Sequence, residues 1–304
     1  MDEREVIVAL AEALVQVRAL DAEPRIPFTT VHRALEDVER LIFHHKEQFG
    51  VHSVHFQQGC EEFLLLSNTL AMKALQRSTP EDIITCEQCG DLLLRAEQHT
   101  RHTGYLRSIP EAQHTNHRRA FRLITLNNLA CHAKHTGKPI AAVSFLERAL
   151  KLQIKSQGND SSIPDHEIAL NRLNLCAVLS QLHRHVAAAA HAKAAVALLS
   201  TTEGDSENLS AEVSQLLLVA HYNFAVELEH LSDHDAAWRQ YELVVTVAER
   251  YQLQSDLIDS VRAILAQGSL RPSSKSPPRA RTPRELYKPQ RRPQSPKTLR
   301  LAQA

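Results

Sequence analysis

Apolar side chains recur every three or four residues along most of the first 267 residues, and short polar segments separate the runs. This spacing places the apolar side chains of each run on one face of an α-helix. Pro24 and Pro27 end the first run, and Gly50 ends the second. The pattern predicts eleven helices. Nine of them are expected at about 2–20, 29–49, 53–77, 81–99, 110–136, 138–156, 207–232, 235–253 and 256–267. Between the sixth and the ninth, the seventh begins at Pro164 and the eighth ends near Ser200.

Polar residues mark several ends of these helices. Thr29 or Thr30 is the expected N-cap of the second helix, because a hydroxyl oxygen can accept from a free N–H group of the first turn. Loops are expected at residues 158–162 and 202–206, where Gly, Asp and Ser cluster. The last helix, residues 256–267, is predicted to cover the open end of a helical stack.

Three segments repeat one arrangement of small and large residues. Each has an asparagine and an apolar residue before a small residue, and further residues follow that small residue at offsets of 12, 16 and 19. The sets are Asn128-Leu129-Ala130 with Ala142, Leu146 and Ala149; Asn174-Leu175-Cys176 with Ala188, Ala192 and Ala195; and Asn223-Phe224-Ala225 with Ala237, Tyr241 and Val244. A unit of this length buries its apolar face against its neighbours, which is typical of a solenoid.

The small residues predict close crossings between two helices of each unit. A small side chain at a crossing lets the helix axes approach to about 8–10 Å. The expected contacts pair Ala130 with Ala142, Cys176 with Ala188, and Ala225 with Ala237. Only short polar turns separate the two helices, so they are expected to be antiparallel. The predicted fold class is therefore all-α, a solenoid of antiparallel helix pairs.

This pattern resembles the tetratricopeptide repeat superfamily, in which a large and a small residue are followed by alanine, a bulky residue and alanine. The matches are Leu129-Ala130, Leu175-Cys176 and Phe224-Ala225, with the residues at offsets 12, 16 and 19. The terminal proline of the family is missing, and Ala192 is small where a bulky residue is usual. The units are 46 and 49 residues apart, so they resemble the longer repeats of kinesin light chains.

The resemblance implies a right-handed superhelical solenoid and divides the chain into three parts. Residues 1–109 hold N-terminal helices, with 53–99 as a candidate diverged repeat. Residues 110–267 hold the repeats, at about 125–157, 171–201 and 220–250, followed by the final helix. Residues 268–304 are rich in Pro, Ser and Arg and form a disordered tail, because they cannot bury enough apolar surface to fold.

The resemblance also implies a concave groove lined by the first helix of each pair. Asn128, Asn174 and Asn223 stand where such families present an amide to the groove, and an amide can both donate to and accept from a peptide backbone. Alternatively, asparagine is merely common at this place in the repeat. The predicted lining as a whole is mostly apolar, which suits an extended or helical apolar segment. Asn127, Lys134, Leu173, Gln181 and Tyr222 are also predicted to lie in the groove.

Composition agrees with a helical protein of a reducing compartment. The chain has only 8 glycines and 5% aromatic residues, which disfavours sheets with many tight turns. Its five cysteines show no pairing pattern, and its first residues are acidic where a secretory signal would be basic. No apolar run reaches the ~18 residues that a membrane span needs. A cytoplasmic protein is expected, with the cytoskeleton or cilium as the alternative location.

The formal net charge of zero conceals an uneven distribution. Residues 268–304 contain ten basic residues and one acidic residue, a net charge of +9, which leaves 25 basic and 34 acidic residues, or −9, in the remainder. Ser276, Thr282 and Ser295 precede prolines and are candidate phosphorylation sites. A basic tail can bind an acidic surface such as a microtubule, or it can remain solvated. Its few aromatic residues disfavour sequence-specific nucleic-acid binding.

The candidates for metal or catalytic chemistry are weak. Cys86 and Cys89 precede His99 and His102, but the spacing differs from that of zinc fingers, and the stretch has the pattern of a helix with buried cysteines. The 18 histidines are scattered, and those in the predicted turns are expected to be solvated; these are His135, His183, His185 and His234. No phosphate-binding glycine loop or nucleophile motif is present. We therefore expect no metal, no cofactor and no enzymatic activity.

The sequence thus predicts a non-enzymatic adaptor or scaffold that binds a peptide segment of a protein partner in its groove. The alternative is a cytoskeletal or ciliary structural component, attached through its basic, phosphorylatable tail. The two differ in where binding resides. Deletion of residues 268–304 spares partner binding in the first case and abolishes attachment in the second.

Overall fold

The computed structural model describes residues 2–23, 25–51, 53–79, 81–101, 112–156, 163–205 and 210–268. Within these ranges the chain forms eleven α-helices and no strand, so the predicted all-α fold class is confirmed. The helices are α1 (Glu3–Ala22), α2 (Phe28–Phe49), α3 (Val54–Arg77), α4 (Ile83–Thr100), α5 (Ala112–His135), α6 (Pro139–Ser156), α7 (Asp165–Gln181), α8 (His185–Asp205), α9 (Ala211–His230), α10 (His234–Arg250) and α11 (Asp256–Gly268). None of these helices is both long and apolar enough to cross a membrane.

Contacts between Cα atoms divide the chain into two compact units, residues 1–171 and 172–304. The division falls within α7, so the boundary expected at 109/110 lies inside the first unit. In the first unit, each helix from α1 to α5 packs on the helix that follows it. The interior is formed by the apolar faces of these helices. Its large, fully buried side chains include Leu35, Ile42, Phe56, Phe63, Leu92 and Leu93.

In the second unit, α8 packs on α9, α9 on α10, and α10 on α11. Helix α9 is the most enclosed of these, because 13 of its 20 residues are buried. The final helix was predicted at 256–267 and is observed at Asp256–Gly268. It buries Leu257, Ile258 and Val261.

The small residues of the repeats lie in the interior, as a close helix crossing requires. All six predicted contact residues are at most 4% exposed; they are Ala130, Cys176, Ala225, Ala142, Ala188 and Ala237. The residues at offsets 16 and 19 are also buried, including Tyr241 and Val244. Helices α5 and α6 pack on each other, as do α9 and α10.

The turns that close the three pairs share one backbone conformation. Gly137, His183 and Ser232 all have positive φ, of 68°, 56° and 63°. In each turn the next N–H group reaches back to a carbonyl five residues earlier, as in Lys138 N to Ala133 O at 2.7 Å. This is the Schellman arrangement that ends a helix and satisfies its last carbonyls. The repetition of the sequence is therefore matched by a repetition of the backbone.

Two predicted helix ends are wrong. Helix α8 continues to Asp205, although residues 202–206 were expected to form a loop. An established helix gains a hydrogen bond for each residue added, which outweighs the poor propensity of Gly204. Helix α2 begins at Phe28 after Pro27, and no side chain caps it, so neither Thr29 nor Thr30 is its N-cap.

The predicted basic tail, with Ser276, Thr282 and Ser295, lies outside the described residues after Gly268. Its disorder and its phosphorylation stay predictions.

Candidate functional site

The predicted groove residue Asn128 is bonded within the first unit. Its Nδ2 donates to Oδ1 of Asn68 on α3, at 2.9 Å. Asn68 is buried and donates in turn to the Leu64 carbonyl and to Thr125 Oγ1, at 2.9 and 3.0 Å. The chain of bonds joins α3 to α5. Asn128 therefore has a structural role that its place in the repeat did not reveal.

Three predicted groove residues lie in the interior. Leu173 and Asn223 are 0% exposed and Tyr222 is 3% exposed. A peptide would reach them only after a rearrangement of their surroundings. Their assignment to a binding surface stays a prediction.

The other predicted groove residues remain partly accessible. Asn127 and Lys134 on α5, and Asn174 and Gln181 on α7, are half-buried. On α5, Asn127 lies one turn after Ile124, which is 46% exposed, and one turn before Cys131, which is also exposed. Residues three and four apart on a helix are neighbours, so these three form one continuous strip, which we call the α5 face.

Asn127 carries an unsatisfied polar atom. Its Oδ1 is buried, and no donor in the described part of the chain reaches it. A buried acceptor without a partner costs about 1–3 kcal/mol, so such atoms are few in native structures. The side chain of Asn127 is only half-buried, so a small rotation of the amide would bring this oxygen to the surface, where an N–H group of a ligand would satisfy it.

The two cysteines of the weak zinc candidate are buried, as the helical pattern of this stretch predicts. Cys86 and Cys89 are 4% and 0% exposed on α4. Burial raises the pKa of the Cys89 thiol to about 12, so this group stays protonated and is a poor metal ligand. His99 is bonded to Glu39, with Nε2 2.6 Å from Oε1. His102 lies outside the described residues.

The structure brings together a group of possible metal ligands that sequence reasoning missed. Ligand atoms of His32, Glu36 and Asp91 lie within 4.8 Å of one another. Arg95 already pairs with both carboxylates, at 2.9 Å from each. A second cation at this place would be repelled by the guanidinium, so the arrangement is better described as an ion-pair network that joins α2 to α4. Its two members on α2, His32 and Glu36, are 55 or more residues away from its two members on α4, Asp91 and Arg95, and no spacing motif connects the two pairs.

In the second unit, one turn histidine is not solvated as expected. His185 is 17% exposed in its side chain, and its Nδ1 lies 2.8 Å from Oε2 of Glu227, which is fully buried. The ring of His185 stacks on that of His230, with centroids 3.9 Å apart. Burial lowers the pKa of His230, and the neighbouring His185 adds to this effect. The cluster links the start of α8 to the end of α9.

No family model and no curated protein matches the chain. Among solved structures it is similar to BtubC (BKLC) from P. vanneervenii, at 14% sequence identity and a TM-score of 0.43. The match covers 90% of this chain and 96% of that one.

Proposed function

We propose that the protein is a non-enzymatic adaptor that binds an extended peptide segment of a partner protein along the α5 face. The observation that carries this proposal is the buried, unbonded Oδ1 of Asn127. An extended peptide has N–H groups at regular intervals, and main-chain bonds of this kind bind peptides of varied sequence. The side-chain oxygen of Asn127 and the N–H groups of an extended peptide are therefore complementary in hydrogen bonding.

The neighbours of Asn127 favour a segment with at least one apolar side chain. Ile124 is exposed one turn earlier, where it offers an apolar contact, and Lys134 is half-buried two turns later. The α5 face thus offers an apolar contact and a side-chain acceptor for a backbone N–H group, and the positive charge of Lys134 lies next to it. Such a surface suits a linear peptide better than a small metabolite, which needs an enclosed pocket.

The test uses a display library of random linear peptides, selected on the full-length protein. Selected peptides are synthesised and titrated against the wild type and the Asn127→Ala variant. One lost hydrogen bond of this kind contributes about 0.5–1.5 kcal/mol, so we expect the variant to bind about two- to tenfold more weakly. A thermal melt confirms that the variant is folded.

Gln58→Ala is the matched control, because Gln58 is an exposed amide on another helix, α3. It should leave the affinity unchanged. If Asn127→Ala binds as tightly as the wild type, or if no linear peptide is selected, the α5 face is not the binding surface. The alternative function, attachment through the basic tail, rests on residues 269–304, outside the described residues, and the same selection on a chain truncated at Gly268 separates the two.

A further inference from the structure

Three arginines converge on one buried carboxylate in the first unit. Glu97 on α4 is 1% exposed. It accepts hydrogen bonds from Arg101, the residue that directly follows α4, and from Arg148 on α6. Arg122 on α5 approaches the same carboxylate, with Nη2 3.7 Å from Oε1.

Arg122 differs from the other two arginines because it makes no hydrogen bond to Glu97. The distance of 3.7 Å is too long for one. Its Nε is buried, and no acceptor in the described ranges reaches it. Burial lowers the pKa of Arg122; the charge of Glu97 opposes this effect, and the charges of Arg148 and Arg101 add to it. The side chain as a whole is nonetheless 22% exposed, so part of it borders on solvent.

The charge is unbalanced among the residues that the structure describes. Three guanidinium groups face one carboxylate, and no other described carboxylate lies within 4 Å of Arg101, Arg122 or Arg148. Within this part of the chain the surplus is two positive charges. Arg101 and Arg148 are 48% and 36% exposed in their side chains, so all three groups can be reached from outside.

We propose that Arg101, Arg122 and Arg148 form a binding site for a phosphate monoester dianion. Its two negative charges match the surplus, and its oxygens accept from the planar N–H pairs of guanidinium groups. A single carboxylate would leave one positive charge uncompensated. The phosphate belongs either to a phosphorylated side chain of a partner or to a small molecule.

This site is separate from the α5 face. Asn127 and Arg122 are five positions apart on α5, which corresponds to roughly 140° around the helix axis. The two side chains therefore leave α5 in different directions. Loss of one site should leave the other intact, so the failure of either proposal is recognisable by itself.

The test measures melting temperature and binding in sodium phosphate and in sodium chloride of equal ionic strength. Arg122→Gln is compared with Arg119→Gln, a matched loss of one charge from the same helix. We expect phosphate to stabilise the wild type and Arg119→Gln, and to bind Arg122→Gln at least about tenfold more weakly, as expected for the loss of a charge-assisted hydrogen bond. In chloride, Arg122→Gln should be at least as stable as the wild type, because a repelling charge is removed.

A second arm uses a peptide with one phosphoserine and its unphosphorylated form. Stronger binding of the phosphopeptide than of inorganic phosphate assigns the site to a phosphorylated partner, whereas binding of inorganic phosphate alone assigns it to a small molecule. The proposal is overturned if phosphate gives no more stabilisation than chloride, or if Arg122→Gln retains the full effect. It is also overturned if Arg122→Gln is strongly destabilised in chloride, because Arg122 would then serve only to hold Glu97.

Discussion

The turn residues show how a single backbone position constrains residue choice. Gly137, His183 and Ser232 occupy the same left-handed conformation in three successive turns. A non-glycine residue pays about 1–2 kcal/mol there, because its Cβ approaches the following carbonyl oxygen. Only the first of these turns has the residue that the conformation prefers. The other two are therefore sites where stability can be gained.

We predict that Ser232→Gly raises the free energy of unfolding by about 0.5–1 kcal/mol, after the greater entropy of glycine in the unfolded chain is allowed for. Gly137→Ala should lower it by about 1–2 kcal/mol. No atom lies within 4 Å of a Cβ placed at Gly137, so the effect there is one of the backbone alone. Urea denaturation measures the free energy of unfolding of both variants. Equal stability of Gly137→Ala and the wild type would contradict the turn conformation.

The second prediction at this scale concerns the buried carboxylate of Glu39. Burial raises its pKa, but the hydrogen bond and charge of His99, and then those of Arg95, outweigh burial and hold the pKa below 4.5. A lowered pKa in the folded state stabilises the fold above the unfolded value, and the contribution is lost as the pH falls through the folded value. Glu39→Gln should therefore cost about 1.5–3 kcal/mol at pH 7, the range for hydrogen bonds to charged groups.

The difference in the free energy of unfolding between Glu39→Gln and the wild type should shrink as the pH falls below the usual carboxyl range, because the wild-type carboxylate becomes protonated as the pH passes its lowered pKa. Urea denaturation at a series of decreasing pH values measures this difference. A difference that stays constant down to the most acidic pH at which the protein is folded would show that the charge of Glu39 contributes nothing.

At the scale of elements, α4 and α5 meet at a glycine. A Cβ added at Gly90 would lie 2.7 Å from Cε1 of His132. The ring cannot easily move away, because its Nε2 donates to the Cys86 carbonyl at 2.7 Å. We predict that Gly90→Ala costs about 1–3 kcal/mol, as for other overpacked cores.

The control for this contact is the same change in a His132→Ala background. Without the ring, Gly90→Ala should be neutral or stabilising by up to about 1 kcal/mol, because alanine favours a helix. The four proteins form a double-mutant cycle, read by urea denaturation. Equal destabilisation in both backgrounds would mean that His132 is not the limiting neighbour.

The helix crossing of the second repeat gives a further prediction. Ala188 is 0% exposed, so Ala188→Leu should overpack the interior and cost about 1–3 kcal/mol. Ala197→Leu on the same helix is the matched control, because Ala197 is exposed and its change should stay within about 0.5 kcal/mol. A melt of both variants compares them. An unchanged melting temperature for Ala188→Leu would contradict the predicted repeat register, in which Ala188 lies at a close helix crossing.

The sequence was sufficient for features that depend on neighbouring residues and insufficient for those that depend on distant ones. Periodicity predicted the helices, and the spacing of Ala130 and Ala142 predicted which side chains are buried. The bond between Asn68 and Asn128 joins residues 60 apart, and the pair of Glu97 and Arg148 joins residues 51 apart. Such contacts depend on the packing of whole helices, so no local pattern indicates them.

At the scale of the molecule, α3 and α4 bury large and small residues in an order that resembles the three repeats. Leu70-Ala71 on α3, with Cys89, Leu93 and Ala96 on α4, is buried in the same order of large and small residues. The distance from Ala71 to Cys89 is 18 residues instead of 12, because the connection is longer. The described residues of this connection also lack the positive φ of the three later turns. The assignment of residues 53–99 as a diverged repeat stays a prediction.

The central claim is that a peptide binds along the α5 face, and Cys131 allows it to be tested without any substitution. Cys131 is exposed on that face, whereas the other four cysteines are buried. A peptide selected on the protein should slow the alkylation of Cys131 by iodoacetamide, in proportion to its occupancy, as mass spectrometry of the digested protein would show. A scrambled peptide of the same composition should leave the rate unchanged. Full-rate alkylation of Cys131 under saturating peptide would contradict the account and place the binding surface elsewhere on the molecule.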